Sequence, residues 1–157
     1  MVEAARPATA ADVAQMVELA ERAREELGPT RGGKVFLARE ARQEPLAASL
    51  GAALEDAHGA AWVGTIDDTV VGCAVVHAEE IGDHSCLGIV DDLFVEAGAR
   101  AVGVGELLMD AVLAWCRAQG CGGVDATALP GNRETKNFFE ESGFTARLLI
   151  MHRRLNG

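Results

Sequence analysis

Residues 89–115 read IVDDLFVEAGARAVGVGELLMDAVLAW and contain three local patterns in succession. Residues 89–95 are mostly apolar and partly β-branched, which predicts a strand. Residues 96–105 carry three glycines, which disfavour regular structure. Apolar residues then recur at helical spacing, which predicts a helix. They are Leu107, Leu108, Ala111, Val112 and Trp115. The chain therefore runs from a strand through a glycine-rich loop into a helix.

The start of this predicted helix has the properties of an anion site. The first N–H groups of a helix have no partner within it, and the helix dipole makes that end positive. Gly103 and Gly105 lack a Cβ, so a phosphate oxygen could approach the amides of residues 102–108. Arg100 could contact the anion or fix the loop by bonding its carbonyl groups. An ordinary strand–helix connection, in which the glycines only allow turning, accounts for the loop equally well.

Two better-known phosphate loops do not fit the sequence. The chain contains no G-x-x-x-x-G-K-[ST] run, which excludes a P-loop. Residues 103–105 lack a third glycine and lie well past the strand end, so they match the dinucleotide-binding fingerprint poorly.

Two segments carry a family resemblance. The run R-x-x-G-x-G at residues 100–105, which follows Leu93-Phe94-Val95, resembles the acyl-CoA-binding motif of the GNAT superfamily of N-acetyltransferases. Residues 132–144, NRETKNFFEESGF, are similar to that family's asparagine, short helix with an aromatic pair, and Gly-Phe ending. Together the matches cover roughly residues 60–150, and the amino-terminal part matches only in its pattern.

The resemblance implies that the chain binds acetyl-CoA as a co-substrate. The loop amides would hold the pyrophosphate, and the backbone of the preceding strand would pair with the pantetheine arm. The residues implied in this binding are Leu93, Phe94, Val95, Arg100, Ala101, Val102, Gly103, Val104, Gly105, Glu106, Asn132 and Phe139. Asn132 also suits the N-cap of the helix that follows, and the two roles are compatible.

Asp91 and Asp92 are the candidate catalytic residues. They are the carboxylates nearest to the expected thioester, and Asp91 matches the proposed base of similar diamine acetyltransferases except that Leu93 replaces an aromatic residue. Strand alternation predicts that Asp91 shares a face with Leu93, and that Asp92 shares the other face with Val90 and Phe94. If one of the two carboxylates is buried, the negative charge of the other raises its pKa, and a raised pKa makes it a better general base.

Other roles for these carboxylates stay open. One of them could cap a strand end or form an ion pair with an arginine. Asp92, or Glu79 or Glu80 acting through a water molecule, could serve as the base instead of Asp91.

The general acid is the clearest departure from the family pattern. The family often uses a tyrosine on the short helix of the second segment, and this chain contains no tyrosine. Phe138 and Phe139 stand in the corresponding positions and have no proton to donate. A CoA thiolate needs little help to leave near neutral pH, so water or Ser142 would suffice. The alternatives are a non-catalytic acyl-CoA sensor on the same fold and an interaction module without a CoA site.

Composition limits the partners of the protein. The 157 residues suit one domain, residues 1–157, and the net charge of −10 argues against nucleic acid. That charge is compatible with a cationic acceptor, here an amine of a small molecule or a peptide. The sequence contains no signal-peptide pattern and no membrane-length apolar run, which predicts a cytoplasmic protein. A homodimer is possible by analogy with the family, through an edge strand such as residues 145–155.

Cysteine and histidine positions predict neither disulfides nor metal. The four cysteines form no C-x-x-C pair, which favours reduced thiols. His77, Asp83, His84 and Cys86 match no zinc pattern, so no metal is expected.

The element pattern predicts a mixed α/β fold, with a GNAT-like twisted β-sheet of six to seven strands flanked by about four helices. The predicted strands are residues 2–6, 60–66, 70–78, 89–95, 124–130 and 145–155. The short polar run Asp67-Asp68-Thr69 between the second and third of these predicts a hairpin. The predicted helices begin near Thr9, Pro45, Glu106 and Glu134, and residues 28–44 are predicted to be a loop with at most a short ordered piece.

Overall fold

The computed structural model describes residues 1–156, which form one mixed sheet with helices on both faces. The strands are β1 (Glu3–Pro7), β2 (Gly59–Ile66), β3 (Thr69–Glu80), β4 (Cys86–Val95) and β5 (Cys121–Asp125). The helices are α1 (Val13–Leu27), α2 (Gly33–Arg39), α3 (Leu46–Glu55), α4 (Val104–Ala118) and α5 (Arg133–Glu141). Short 3-10 turns at Ala10–Asp12 and Ala97–Ala99 precede α1 and α4.

The sheet has the order β1-β2-β3-β4-β5. The first four strands are antiparallel neighbours, and β5 is parallel to β4 because α4 carries the chain back across the sheet. The predicted hairpin between β2 and β3 is confirmed. Its turn residues, Asp67 and Asp68, have φ values of 47° and 68°, which a two-residue hairpin turn of this hand requires.

Two apolar layers cover the sheet. Helix α4 packs on one face through Val104, Leu108, Val112 and Cys116, all nearly inaccessible to solvent. Helices α1 and α3 cover the other face, where Met16, Leu19 and Leu50 contact alternate residues of β2 and β3. The predicted helical period of α4 is confirmed, although the buried stripe is shifted toward Leu108, Val112 and Cys116 rather than Leu107, Ala111 and Trp115.

The number of strands and helices differs from the prediction. The structure has five strands and five α-helices within residues 1–156, not six to seven strands and about four helices. Residues 33–39 form a helix, α2, inside the segment expected to be mostly loop. The strand expected at residues 145–155 does not form, because those residues have no partner strand in the described chain.

The fifth strand also begins earlier than predicted. Glycines at 120, 122 and 123 suggested a chain break and a strand at residues 124–130, whereas β5 covers Cys121–Asp125. Parallel pairing with Cys86–Ile89 of β4 includes these glycines in the sheet, so tertiary pairing overrides their local preference. Residues 126–130 leave the sheet.

The last feature of the sheet is a gap between β4 and β5. The two strands pair only as far as Ile89 and Asp125. Beyond that point residues 90–95 of β4 have no neighbour on the β5 side within the described chain. Their backbone N–H and C=O groups on that side are therefore open to a ligand that pairs like a strand.

Candidate active site

The loop between β4 and α4 leaves the first N–H groups of α4 without hydrogen-bond partners in residues 1–156. Gly103 is the N-cap of α4 with φ +86°, a conformation that residues with a side chain rarely adopt. No backbone or side-chain acceptor of residues 1–156 binds the N–H groups of Gly103, Val104, Gly105 or Glu106. Four donors at the positive end of a 15-residue helix fit the oxygens of a pyrophosphate.

Arg100 fixes this loop. Its Nε donates a hydrogen bond of 2.8 Å to the carbonyl of Val95, and its guanidinium also pairs with Glu26 at 2.6 Å. The same group stacks over the ring of Phe94, with 5.2 Å to the centroid. Of the two roles considered for Arg100, the geometry therefore supports fixing the loop. Ala101 is exposed and Val102 half-buried, so neither obstructs the helix start.

Helix α5 lies beside the same loop. A Cβ on Gly105 would come within 3.2 Å of the Phe138 ring, so this glycine makes room for an aromatic side chain. Phe139 is buried between Phe138 and Phe144, and of the two helix phenylalanines it is Phe138 that lies against Gly105. Asn132 caps α5 by accepting a hydrogen bond of 3.3 Å from the N–H of Thr135.

A β-bulge in β4 brings the two candidate carboxylates onto one face. Val75 pairs with Asp92 and Val76 pairs with Val90, so Asp91 has no partner in β3. The extra residue breaks the alternation and turns Asp91 toward the α2–α3 face, where Asp92 and Phe94 also lie. The predicted opposite faces for Asp91 and Asp92 are therefore wrong, and so is the expectation that Asp92 shares a face with Val90, which packs under α4.

Asp92 is held in an ion pair. Both of its carboxylate oxygens accept hydrogen bonds of 3.1 Å from Nε of Arg42, and one accepts a second bond of 2.5 Å from the same guanidinium. Arg42 also donates to the hydroxyl of Ser49 on α3 at 2.8 Å. The side chains of Arg42 and Asp92 are only 13% and 16% exposed, respectively. Burial alone would lower the pKa of Arg42, but the contact with Asp92 outweighs it and raises that pKa.

Asp91 has a different partner. Its Oδ2 lies 2.6 Å from Nδ1 of His77 on β3, and the other ring nitrogen of His77 lies 2.9 Å from Glu79. The second oxygen of Asp91, Oδ1, has no hydrogen-bond partner in residues 1–156. The side chain of Asp91 is about one-third exposed and that of Glu79 about half exposed, so the chain of contacts runs from the pocket to solvent.

Burial and these contacts shift the pKa values of the pair. Burial raises the pKa of Asp91, and the hydrogen bond from His77 only partly offsets this. Burial would lower the pKa of His77, but the hydrogen bonds to Asp91 and Glu79 outweigh it, so the pKa of His77 is raised. Asp91 is thus a better proton acceptor than an ordinary surface aspartate.

The carboxylates open into a cavity of about 570 Å³ between the sheet and helices α2 and α3, called here the Asp91 pocket. Its charged lining residues are Glu40, Arg42, Asp56, His77, Asp91 and Asp92. Arg42 and His77 are already paired with carboxylates, so the pocket keeps a negative balance. Thr127, which follows β5, also lines it, so the pocket reaches the gap between β4 and β5.

Sequence patterns did not identify two members of this site. The sequence pattern around His77 suggests at most a metal ligand, and Arg42 lies in a segment predicted to be mostly loop. Both contact the aspartates across long sequence separations, 14 residues for His77 and 50 for Arg42. The valine-rich alternation of β3 does place His77 on the face of Val75, but only the bulge opposite brings Asp91 to it.

The cysteines also depart from expectation. Cys86 and Cys121 are opposite each other in the β4–β5 ladder and form a disulfide, although reduced thiols were predicted. Parallel strand pairing creates this contact over 35 residues, which no spacing motif could indicate. Cys73 and Cys116 are free and buried, and burial raises the pKa of Cys73 to about 12.

Two further properties concern the described residues as a whole. None of their helices combines the length and apolarity that a bilayer crossing requires. Within residues 1–156, no three histidine, cysteine or acidic side chains converge as metal ligands would.

Sequence comparison defines the class of protein. The model of the acetyltransferase (GNAT) family matches residues 14–144, which include the loop of α4, both aspartates and α5. The chain belongs to the GNAT acetyltransferase family. No curated protein matches it by sequence.

Solved structures share the fold. A tetramutant of the BH1408 protein from Bacillus halodurans superposes with a TM-score of 0.84 at 20% identity, covering 99% of this chain and 100% of that one. Aminoglycoside N-acetyltransferase AAC(6')-Iy in complex with CoA gives 0.74 at 19% identity, covering 99% and 96%. Glucosamine-6-phosphate N-acetyltransferase from Arabidopsis thaliana gives 0.71 at 15% identity, covering 99% and 100%.

Proposed function

We propose that this protein transfers an acetyl group from acetyl-CoA to a primary amine of a small molecule or peptide. The observation that carries the proposal is the position of two features around the open edge of β4. The unpaired N–H groups of α4 lie at one end of it, and Asp91 lies in an acidic pocket beside it. Family membership supports the acyltransferase class.

The residues at the start of α4 suit the co-substrate. The N–H groups of Gly103, Val104, Gly105 and Glu106 would hold the pyrophosphate, with Arg100 fixing the loop. The open backbone of residues 90–95 would pair with the pantetheine arm. When bound, acetyl-CoA supplies the acetyl thioester that the amine attacks.

Asp91 is the proposed base. Its free Oδ1 accepts the proton of the incoming ammonium group, while Oδ2 stays bonded to His77. Glu79 bonds the other ring nitrogen and thereby fixes the orientation of the imidazole. His77 and Glu79 are positioning residues in this scheme, and Asp92 holds Arg42 and α3 in place.

The charge of the Asp91 pocket supports a cationic acceptor. Its lining has four carboxylates against one guanidinium and one imidazole, and although Arg39 pairs with Glu40, no basic side chain pairs with Asp56 in the described chain. An amine protonated in solution is attracted to such a cavity and loses its proton to the base inside it. The aminoglycoside N-acetyltransferases of the same fold are named for amine-bearing small molecules.

One observation favours a second function, that of an acyl-CoA sensor. The chain contains no tyrosine, and neither Phe138 nor Phe139 can protonate a leaving thiolate. A sensor would bind acetyl-CoA at the same helix start and release no thiol.

The test combines binding with turnover. Calorimetric titration with acetyl-CoA should show saturable one-site binding, and a panel of polyamines, aminoglycosides and amino-terminal peptides should then release free thiol in proportion to acetylated amine. Binding without thiol release by any acceptor would support the sensor instead. Absence of binding to both CoA and acetyl-CoA would exclude both functions.

A further inference from the structure

The Cys86–Cys121 bond joins β4 and β5 at the closed end of their ladder. The two cysteines form the first pair of a parallel ladder that has three further pairs and ends at Ile89 and Asp125. Beyond these residues the gap begins, and residues 90–95 of β4 are open on the β5 side. From Cys86 to Ile89 the strand is only about 10 Å long. The covalent bond therefore lies close to the place where the two strands part.

Strand β5 has few other attachments. In the described chain β4 is its only neighbouring strand, so its other edge is free. None of its five residues is fully buried, and Gly122 and Gly123 are exposed. Glycines have no side chain to pack and lose the most backbone entropy when a strand forms. The bond to Cys86 is therefore a major part of what holds β5 against β4.

The chain after β5 reaches both parts of the candidate active site. Thr127, two residues beyond the strand, lines the Asp91 pocket. Asn132 then caps α5, and Phe138 of α5 lies against Gly105 at the start of α4. A displacement of β5 therefore changes the width of the gap and the packing of α5 on the glycine loop together.

The sulfurs of the bond are accessible, in contrast to the other two thiols. Cys86 and Cys121 are each half-buried, whereas Cys73 and Cys116 are buried. Partly exposed disulfides are reduced more readily than those enclosed in a core. Burial raises the pKa of Cys73 and of Cys116, so these thiols hold little of the thiolate that exchange requires. Thiol exchange is therefore directed to the Cys86–Cys121 bond.

We propose that the Cys86–Cys121 bond is a redox switch of CoA binding. When the bond is closed, β5 holds the gap and α5 in the arrangement that accepts the pantetheine and the pyrophosphate. When the bond is open, β5 separates from β4 and the affinity falls. This inference rests on the proposed function, because it concerns the regulation of the same site.

The reductant in this scheme is a dithiol. One of its thiolates attacks a sulfur of the bond and releases the other protein sulfur as a thiolate, which takes up a proton. The second thiol of the reductant then displaces the remaining protein sulfur. Two electrons and two protons thus pass from the dithiol to Cys86 and Cys121, and the reductant leaves as a cyclic disulfide. Glutathione disulfide in excess reverses the exchange and releases two molecules of glutathione.

Calorimetric titration of the oxidised and the reduced chain tests the switch. Desulfo-CoA is the probe, because it has no sulfur and takes no part in thiol exchange. Its dissociation constant should be at least about tenfold higher for the chain reduced with dithiothreitol, within the range that coupled sites show. By reciprocity, saturating desulfo-CoA should lower the reduction potential of the bond by about 30 mV, the equivalent of that tenfold change for two electrons.

The outcomes separate the switch from the proposed function. Equal affinities of the two redox forms overturn the switch and leave the proposed function standing. Binding by neither form overturns both. Loss of the folded circular dichroism spectrum on reduction also overturns the switch, because the bond then only holds the fold together.

A pair of double variants provides the matched control. Cys86→Ser with Cys121→Ser should bind desulfo-CoA as weakly as the reduced chain and should not respond to dithiothreitol. Cys73→Ala with Cys116→Ala keeps the bond and should keep the full response. A response that persists in the first variant or disappears in the second overturns the assignment. The comparison of the two redox forms of the unmodified chain decides the question if the serine variant does not fold.

Discussion

The guanidinium of Arg42 binds both carboxylate oxygens of Asp92, which lies next to Asp91 in the sequence. Two adjacent acidic residues therefore have different surroundings, one closed by an arginine and one with a free oxygen in a pocket. Asp91→Asn should lower kcat about 10²- to 10⁴-fold and leave acetyl-CoA affinity unchanged, because the general base is lost. Steady-state thiol release and calorimetry measure the two quantities.

Asp92→Asn should act on stability instead. The substitution removes the negative charge that Arg42 pairs with at a mostly buried position. This loss should lower the free energy of unfolding by about 2 to 3 kcal/mol. Urea unfolding of the two variants makes the comparison, and Asp91→Asn serves as the matched control because its side chain is more exposed. The opposite pattern, with kcat lost chiefly in Asp92→Asn, would reverse the assignment of the base.

The pH dependence should follow the Asp91–His77 contact. The base acts when ionised, so kcat/KM should rise with pH through the raised pKa of Asp91. The hydrogen bond from His77 lowers that pKa, so His77→Gln should move the acid limb of the profile to higher pH. An acid limb in the same place for both proteins would show that His77 does not position Asp91.

The start of α4 should be the point where acetyl-CoA binding is most easily lost. Gly103→Glu adds a negative charge beside the unpaired N–H groups and forces a side chain into φ +86°. The dissociation constant of acetyl-CoA should rise on the order of 100-fold, which equals about 2.7 kcal/mol. Gly82→Glu adds the same charge at an exposed turn and should leave calorimetric affinity unchanged. Equal weakening by both substitutions would refute this location.

Acid stability should depend on Asp12. Hydrogen bonds from Arg6 hold the pKa of this carboxylate at about 2, below the ordinary value of 3.8. A lowered folded pKa contributes stability that is present above the unfolded pKa and lost as pH falls from about 4 toward 2. The contribution is at most about 2 kcal/mol, since Arg6 is half exposed. Thermal unfolding from pH 6 to 2.5 should show this loss in the native chain and not in Asp12→Asn.

Thiol counting checks the Cys86–Cys121 bond. In denaturant, iodoacetamide should modify two cysteines, Cys73 and Cys116, without reductant and four with it. Because the bond closes a loop of 35 residues, its reduction should lower the unfolding free energy by about 3 to 4 kcal/mol. Modification of all four cysteines without reductant would contradict the disulfide and agree with the reduced thiols that the sequence predicts.

The sequence was sufficient wherever a local period or a special backbone position dominates. The strand, glycine loop and helix around Gly103 were predicted because each has its own short-range pattern, and a positive φ at Gly103 needs glycine. The hairpin at Asp67 and Asp68 was predicted for the same reason.

The remaining features depend on which strands become neighbours. The bulge at Asp91 exists only in the register of β4 against β3, and it alone determines the face on which Asp91 lies. The start of β5 at Cys121 follows from its pairing with β4, against the local preference of its glycines. Residues 145–155 have strand propensity, but propensity alone does not specify a partner.

The gap beside β4 has a kinetic consequence. The start of α4 follows the end of β4, and the Asp91 pocket reaches the gap beside β4 from the α2–α3 side. Acetyl-CoA and the acceptor can therefore be bound at the same time. The buried Cys73 thiol has a pKa of about 12 and is not expected to carry the acetyl group between them. Double-reciprocal plots of initial rate against acetyl-CoA concentration, measured at several fixed acceptor concentrations, should therefore intersect. Intersecting lines indicate a reaction that passes through a ternary complex, and parallel lines would contradict this expectation.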